Sequence, residues 1–303
     1  MTDCICNKKK RKPNWGKIGF MTTMFIVPVL NFLIFYVYVN FDSVLLSFQN
    51  AKGDFTFENF LWVFREFAGQ NAVDDHLKEA LLNTLLIFAN SFVVVRIITL
   101  FMAYFFYKKI IGYGFFRVLF YLPNILSAVV MVSIYDGFIG PSGPVYQILE
   151  RITGVQYESL YDSRYAMKAL LVYQLWVAFG TETIMLASAM ARIPVEVTEA
   201  SVIDGASPWV EFSRIIFPLI WPTLSTLMIT GLAWILNSDV NVLLFTQGKY
   251  GTYTISYWMY EQVFVFKSLW HASAFGQLCT IALIPIVWLG KALLERIGSD
   301  VTY

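Results

Sequence analysis

The chain is poor in charge. Asp, Glu, Lys and Arg make up 14% of its 303 residues, against roughly 25% in soluble domains. It lacks the polar groups to cover a water-exposed surface, which excludes a soluble enzyme and a disordered segment. Histidine is scarce too: with His76 and His271 alone, a His-ligated metal centre or a His-based proton relay has no foundation. Three cysteines, two of them at Cys4 and Cys6, give no disulfide framework and fit a reducing compartment. A net charge of +1 argues against a nucleic-acid partner. The sequence holds no Gly-x-x-x-x-Gly-Lys-Ser/Thr run, so it offers no phosphate loop for ATP. It also shows no inverted repeat of the kind that marks many secondary carriers.

What is abundant is apolar surface. Hydrophobic residues make up 57% of the chain and aromatics 17%, with a mean hydropathy of +0.60. A membrane-crossing helix needs about 20 mostly apolar residues to traverse ~30 Å of hydrocarbon. Six stretches meet this, at about 18–39, 81–107, 118–138, 166–191, 218–236 and 272–289. The expected fold is an all-α membrane protein of about six transmembrane helices. Residues 1–17 form a basic N-terminus, 18–290 the membrane domain with a long loop at 192–218, and 291–303 a tail.

Basic residues set the orientation. Lys8, Lys9, Lys10, Arg11, Lys12 and Lys17 precede the first stretch; Lys108, Lys109 and Arg117 crowd the link between the second and third. Arg192 and Arg214 lie between the fourth and fifth, and Lys291 and Arg296 follow the sixth. That is 13 on one side against 8 in the three opposite loops, with Arg96 left inside a span. Both termini are expected in the cytoplasm.

The segment from Ala191 to Pro218 carries six charges and has a legible local chemistry. Pro194 suits the first turn of a helix, and Glu196 and Glu199 follow where the helix dipole favours acids. Gly205 suits the left-handed position after a helix end. Ser207-Pro208 restarts a second helix as cap and first residue, and Pro218 is expected to end it near the membrane. An interfacial helix lying on lipid is the alternative. Such helices are usually basic, whereas Glu196, Glu199 and Asp204 would be repelled by an anionic leaflet, so a protein partner fits better.

Glu199-Ala200-Ser201-x-x-x-Gly205, followed after nine residues by Ile215-x-Phe217-Pro218, resembles the EAA loop of permease subunits in binding-protein-dependent ABC importers. The chain departs from that pattern at Ser201 and Phe217 with the spacing intact. Ile203-Asp204-Gly205-Ala206-Ser207, Asn83-Thr84-Leu85, Leu122-Pro123 and Gly140-Pro-Ser-Gly143 resemble the carbohydrate-type branch, of the maltose- and glycerol-phosphate-permease type. The resemblance implies a transport subunit with no catalytic chemistry of its own. It implies half of a pathway for a sugar or oligosaccharide, in a bacterial plasma membrane. Expected partners are a second, different permease, a cytoplasmic ATPase dimer that holds ATP and Mg, and an extracellular substrate-binding protein. No cofactor is expected in this chain itself. The resemblance further implies that Glu199, Ala200, Ser201, Asp204, Gly205 and Ala206 form the ATPase-coupling element. A non-sugar cargo and an ion-coupled carrier using Arg96, Glu182 and Asp239 are the alternatives.

Ionisable groups at membrane depth are costly and usually functional or paired. Arg96 and Glu182 stand out, with Asn90, Asn124, Gln174, Asn237 and Asp239 behind them. Sugar sites combine such groups with aromatic faces, and Tyr173, Trp176 and Trp234 lie near them in sequence; the alternative is that the amides simply bridge helices. Arg96 lies 11 residues and Glu182 9 residues from the inner ends of their stretches, depths of roughly 16 and 14 Å at 1.5 Å per residue. An ion pair is therefore expected, with Asp239, Asp136, backbone carbonyls or a neighbouring subunit as competing partners.

Overall fold

The computed structural model describes residues 15–50, 52–69, 76–154, 162–237 and 240–297. Most of the basic N-terminus with Cys4 and Cys6, Asp239, and the last six residues of the tail lie outside them. Four helices are long and apolar enough to cross a membrane: Gly19–Ser47, His76–Tyr107, Pro208–Ala233 and Leu269–Ile297. Two bent pairs, Tyr113–Asn124 with Ala128–Ile152 and Ala166–Ala178 with Thr181–Met190, raise the number to six. In chain order these six are called spans 1 to 6. The all-helical membrane architecture is as expected, and its details depart from the sequence reading at three places.

Span 3 is not one straight rod over 118–138. Its halves meet at 114°, because Leu122-Pro123-Asn124 tightens into a 3₁₀ turn and Ser127 then starts a new helix, its hydroxyl accepting from Val130 N–H at 3.4 Å. Proline cannot donate to the ladder, and the Ser cap satisfies the exposed N–H groups of the second half. Span 4 bends by 42° at Phe179-Gly180. A Cβ on Gly180 would displace the Asn124 amide and crowd the Phe120 carbonyl at 3.1 Å, so glycine here lets span 3 come close.

Span 5 begins ten residues earlier than expected, and Pro218 does not end the preceding helix. Helix Pro208–Glu211 continues through a π-helical stretch, Phe212–Ile216, into Phe217–Ala233. The π stretch shifts the hydrogen-bond register, so Pro218 falls in the first turn of the regular helix after it, where a missing N–H is tolerated.

Packing has three centres. Toward the basic end, Leu100 and Ala103 of span 2 meet Leu186 and Met190 of span 4 and Ile216 and Ile220 of span 5. Ile87, Met131, Leu170 and Tyr173 join spans 2, 3 and 4 further along. At the far end, Val63 of helix Glu58–Phe67 packs with Leu77, Trp258 and Phe275. Span 1 is covered only at its far end, where Val39–Ser47 packs on span 6, and 0% of its most apolar window is buried within the molecule. Asn59 ties its far end down by donating to the carbonyls of Ser47 and Gln49 at 2.9 and 2.8 Å.

The Asn83-Thr84 pair acts as a clamp. Asn83 Nδ2 donates to the carbonyls of Gly251 and Tyr253 at 3.0 and 2.9 Å. The fully buried Thr84 hydroxyl accepts from Ile255 N–H at 3.0 Å. Thr84→Val is expected to lower the melting temperature in detergent, since it leaves that buried N–H unpaired at a cost of about 1–3 kcal/mol. An unchanged melting curve would show the clamp to be redundant.

Candidate functional site

The loop between spans 4 and 5 folds as its residues dictate. Pro194 stands just before helix Val195–Ile203, at its N-cap position and one residue short of the first turn expected for it, and Gly205 follows the helix at φ +75°. Gly205 N–H donates to Val202 and Ala206 N–H to Ser201, both at 3.0 Å, the paired closure of a Schellman end. Ser207 then caps the next helix, accepting from Val210 N–H at 3.4 Å. Glu199, Ala200 and Asp204 are exposed on this element, Ala206 is half-buried and Ser201 is buried.

Val195, Val202, Ile203 and Trp209 are also exposed there, Ile203 by 85%. The sequence reading missed these four because it followed the charges and small residues. Four large apolar side chains in a charged loop were the available signal. The loop is anchored to span 2 by Lys108, whose Nζ lies 2.6 Å from Oε1 of the buried Glu211. The Tyr104 hydroxyl donates to the Pro208 carbonyl at 3.2 Å.

Between the spans, the structure pairs most of the polar groups singled out from sequence. Arg96 Nη1 lies 3.1 Å from Glu182 Oε1, with Arg96 only 7% exposed. The contact is close enough for an ion pair, yet Nη1 makes no directed hydrogen bond, and neither do Arg96 Nε, Glu182 Oε2 or Thr183 Oγ1. The attraction is therefore charge on charge, with hydrogen-bonding capacity left over among the described residues. Glu182 sits in the first turn after the span 4 bend, at the positive end of helix Thr181–Met190. Arg96 directly follows a π-helical stretch, Asn90–Val95.

Asn90 Nδ2 donates to Gln174 Oε1 at 2.8 Å, and the Thr181 hydroxyl donates to Asn124 Oδ1 at 2.8 Å. Trp176 lies in an aromatic group with Tyr135 and Tyr173, at ring separations of 6.0 and 6.5 Å. Two of the candidates stand elsewhere. Trp234 is exposed, and Asn237 lines a separate cavity of about 320 Å³ with Ser256, Met259 and Thr280. Asp239 lies outside the described residues. No group of three or more His, Cys, Asp or Glu able to hold a metal ion occurs among the described residues.

The family described as binding-protein-dependent transport system inner membrane component matches residues 96–303. The maltose/maltodextrin transport system permease protein MalF of Vibrio vulnificus strain YJ016 is 29% identical over 143 residues, 47% of this chain and 27% of that protein. MalF of Escherichia coli K12 is 30% identical over 138 residues, 45% of this chain and 27% of that protein. The match thus spans about a quarter of the length of these relatives.

Among solved structures, a bacterial ABC transporter that imports the acidic polysaccharide alginate is similar with a TM-score of 0.79. It is 21% identical, and the match covers 93% of this chain and 98% of that one. The alginate transporter in complex with its pentasaccharide-bound periplasmic protein gives 0.81 at 20% identity, over 95% and 99%. At these identities the structural likeness speaks for the fold. The family match covers well over half of the residues, the EAA-like loop included, and the chain belongs to the binding-protein-dependent transport system inner membrane component family.

Proposed function

We propose that this chain forms half of the membrane pathway of an ATP-driven importer for a sugar or oligosaccharide. On this reading its basic end and both termini face the cytoplasm, and helix Val195–Ile203 carries the motion of a separate ATPase into the spans. The observation that carries the reading is this helix. It projects between two spans, is capped by Gly205 at φ +75°, and offers a partner acids beside the exposed Val202 and Ile203. Glu199 supplies a charged acceptor for a basic groove, while Ala200 and Ala206 let a partner surface approach closely. The sugar assignment leans on the MalF relatives and on the carbohydrate-type motifs. Polar groups and aromatics around Asn124, Gln174 and Trp176 are the proposed cargo contacts, with Arg96 and Glu182 beside them. Asn237, Trp234 and Asp239 are proposed as a separate group. A second permease fits against the most apolar stretch of span 1, which this chain leaves bare, and an extracellular binding protein would deliver cargo at the opposite end. Membership of the family sets aside the ion-coupled carrier.

A cysteine placed at Ala200 is expected to crosslink to the ATPase subunit in native membranes. Absence of crosslinks from every position between Val197 and Ala206 would overturn the coupling role.

A further inference from the structure

A cavity of about 650 Å³ opens at the basic end, walled by spans 2, 3 and 4 and by the first turn of the coupling helix. Three basic side chains line it, Lys108, Lys109 and Arg117, and no carboxylate does. Lys108 is committed to Glu211. Lys109 and Arg117 have no ion pair among the described residues, so two positive charges face the hollow uncompensated.

Its other walls are of mixed character. Ile184 and Phe106 give apolar surface, and Tyr107, Tyr113 and Ser188 offer hydroxyls. Ile111 of the adjoining link and Phe115 and Val118 at the start of span 3 are all strongly exposed, as expected of a surface that meets hydrocarbon. A ligand that suits this site is anionic at one end and apolar at the other. Residue Lys109 is held at φ +50° in the tight link, a backbone conformation that is uncommon for a side-chain-bearing residue.

We propose that this cavity binds the phosphate headgroup of an anionic phospholipid of the inner leaflet, held by Lys109 and Arg117. Basic pockets between helices at the cytoplasmic face suit such headgroups. A free phosphate shares the head chemistry, but it would leave the apolar wall and the exposed link without a partner. The coupling helix contributes Val195 and Thr198 to the same cavity, so an occupied site braces the element that meets the ATPase. That consequence rests on the importer reading above; the binding itself does not.

The test uses the full assembly purified from its membrane and placed in nanodiscs of phosphatidylcholine with and without phosphatidylglycerol. Lipid retained after transfer to detergent is counted by native mass spectrometry. Wild type is expected to retain phosphatidylglycerol in preference to phosphatidylcholine. Lys109→Gln with Arg117→Gln is expected to weaken that preference roughly thirtyfold, the combined effect of two basic groups at an anionic surface. Lys52→Gln with Lys249→Gln removes equal charge from exposed positions at the opposite end and is expected to change nothing. Equal retention of both lipids by wild type, or equal loss in both variants, overturns the proposal. Displacement of the lipid by inorganic phosphate overturns the lipid as the source. The count requires no transport, so a failed importer reading and a failed lipid site give different results.

Discussion

Replacing Arg96 with Met is expected to cost most of the assembled protein, and adding Glu182→Gln is expected to return part of it. Arg96 is 7% exposed and its Nη1 lies 3.1 Å from Glu182 Oε1. Removing one member strands a charge at membrane depth, a loss on the order of 3–5 kcal/mol for a buried pair. Neutralising the other member removes the stranded charge, so the double variant should be better than the sum of the singles by about 0.5–3 kcal/mol. Glu182, the acid left behind by Arg96→Met, has a side chain 27% exposed, which favours the lower part of that range for this single and a modest value for the pair itself. Several hydrogen-bonding atoms of the two groups find no partner, so the intact pair holds little net stability while a broken one is expensive. The readouts are melting temperature and the yield of assembled complex, with uptake measured alongside. A double variant as damaged as the two singles added together would mean the residues do not act on each other. A single variant that assembles normally but fails in uptake would instead place Arg96 in contact with cargo.

That pair was legible because depth in a membrane is arithmetic. Two charges on adjacent parallel spans, each counted back from the basic end of its span, arrive at one level. The loop at 192–218 was legible for a different reason: Pro194, Gly205, Ser207 and Pro208 each restrict the backbone locally, and local restrictions survive into the folded chain. Asn83 and Thr84, singled out only as part of a family pattern, proved to hold the 251–255 segment through three hydrogen bonds.

What stayed hidden depends on helix register. Four π-helical stretches, Phe32–Tyr38, Asn90–Val95, Phe212–Ile216 and Glu261–Val265, occur among the described residues. The first three run directly into the helix that follows and rotate its faces, and neither the apolar run Phe32–Tyr38 nor the mixed sequences of the other two mark the extra residue in the turn. This is why Pro218, read as a terminator, sits inside a continuous helix. The 114° turn in span 3 was hidden as well. The angle comes from the 3₁₀ turn at Leu122-Pro123-Asn124 and the restart at Ser127, and apolar composition on both sides let the two halves read as one rod. Asn237 was singled out as a polar group at membrane depth, and Trp234 as an aromatic near it in sequence. The helix ends at Ala233, so the chain that follows it is free to turn aside.

Gly205→Val is expected to abolish transport while leaving the complex assembled. The residue sits at φ +75°, and a Cβ added there would meet nothing within 4 Å, so the substitution causes no clash and its cost lies wholly in the backbone. A left-handed conformation costs an L-residue roughly 1–2 kcal/mol, and a β-branched one is a genuine outlier there. The cheapest escape is for residue 205 to leave the left-handed region. That gives up the closing hydrogen bond from Ala206 N–H to Ser201 and changes the direction in which the chain leaves helix Val195–Ile203. It also moves Ser207, the cap of the helix that leads without interruption into span 5. The damage therefore falls on how force enters the membrane more than on whether the spans pack, since the core at this end is built from Leu100, Leu186, Ile216 and their neighbours. Gly205→Asn tolerates the left-handed region and is expected to keep a large share of uptake, with Gly205→Ala between the two. Uptake, ATPase coupling and insertion measured together on the three variants test the order Asn, Ala, Val. A valine variant with normal uptake would mean that the bend at 205 does not transmit the ATPase stroke.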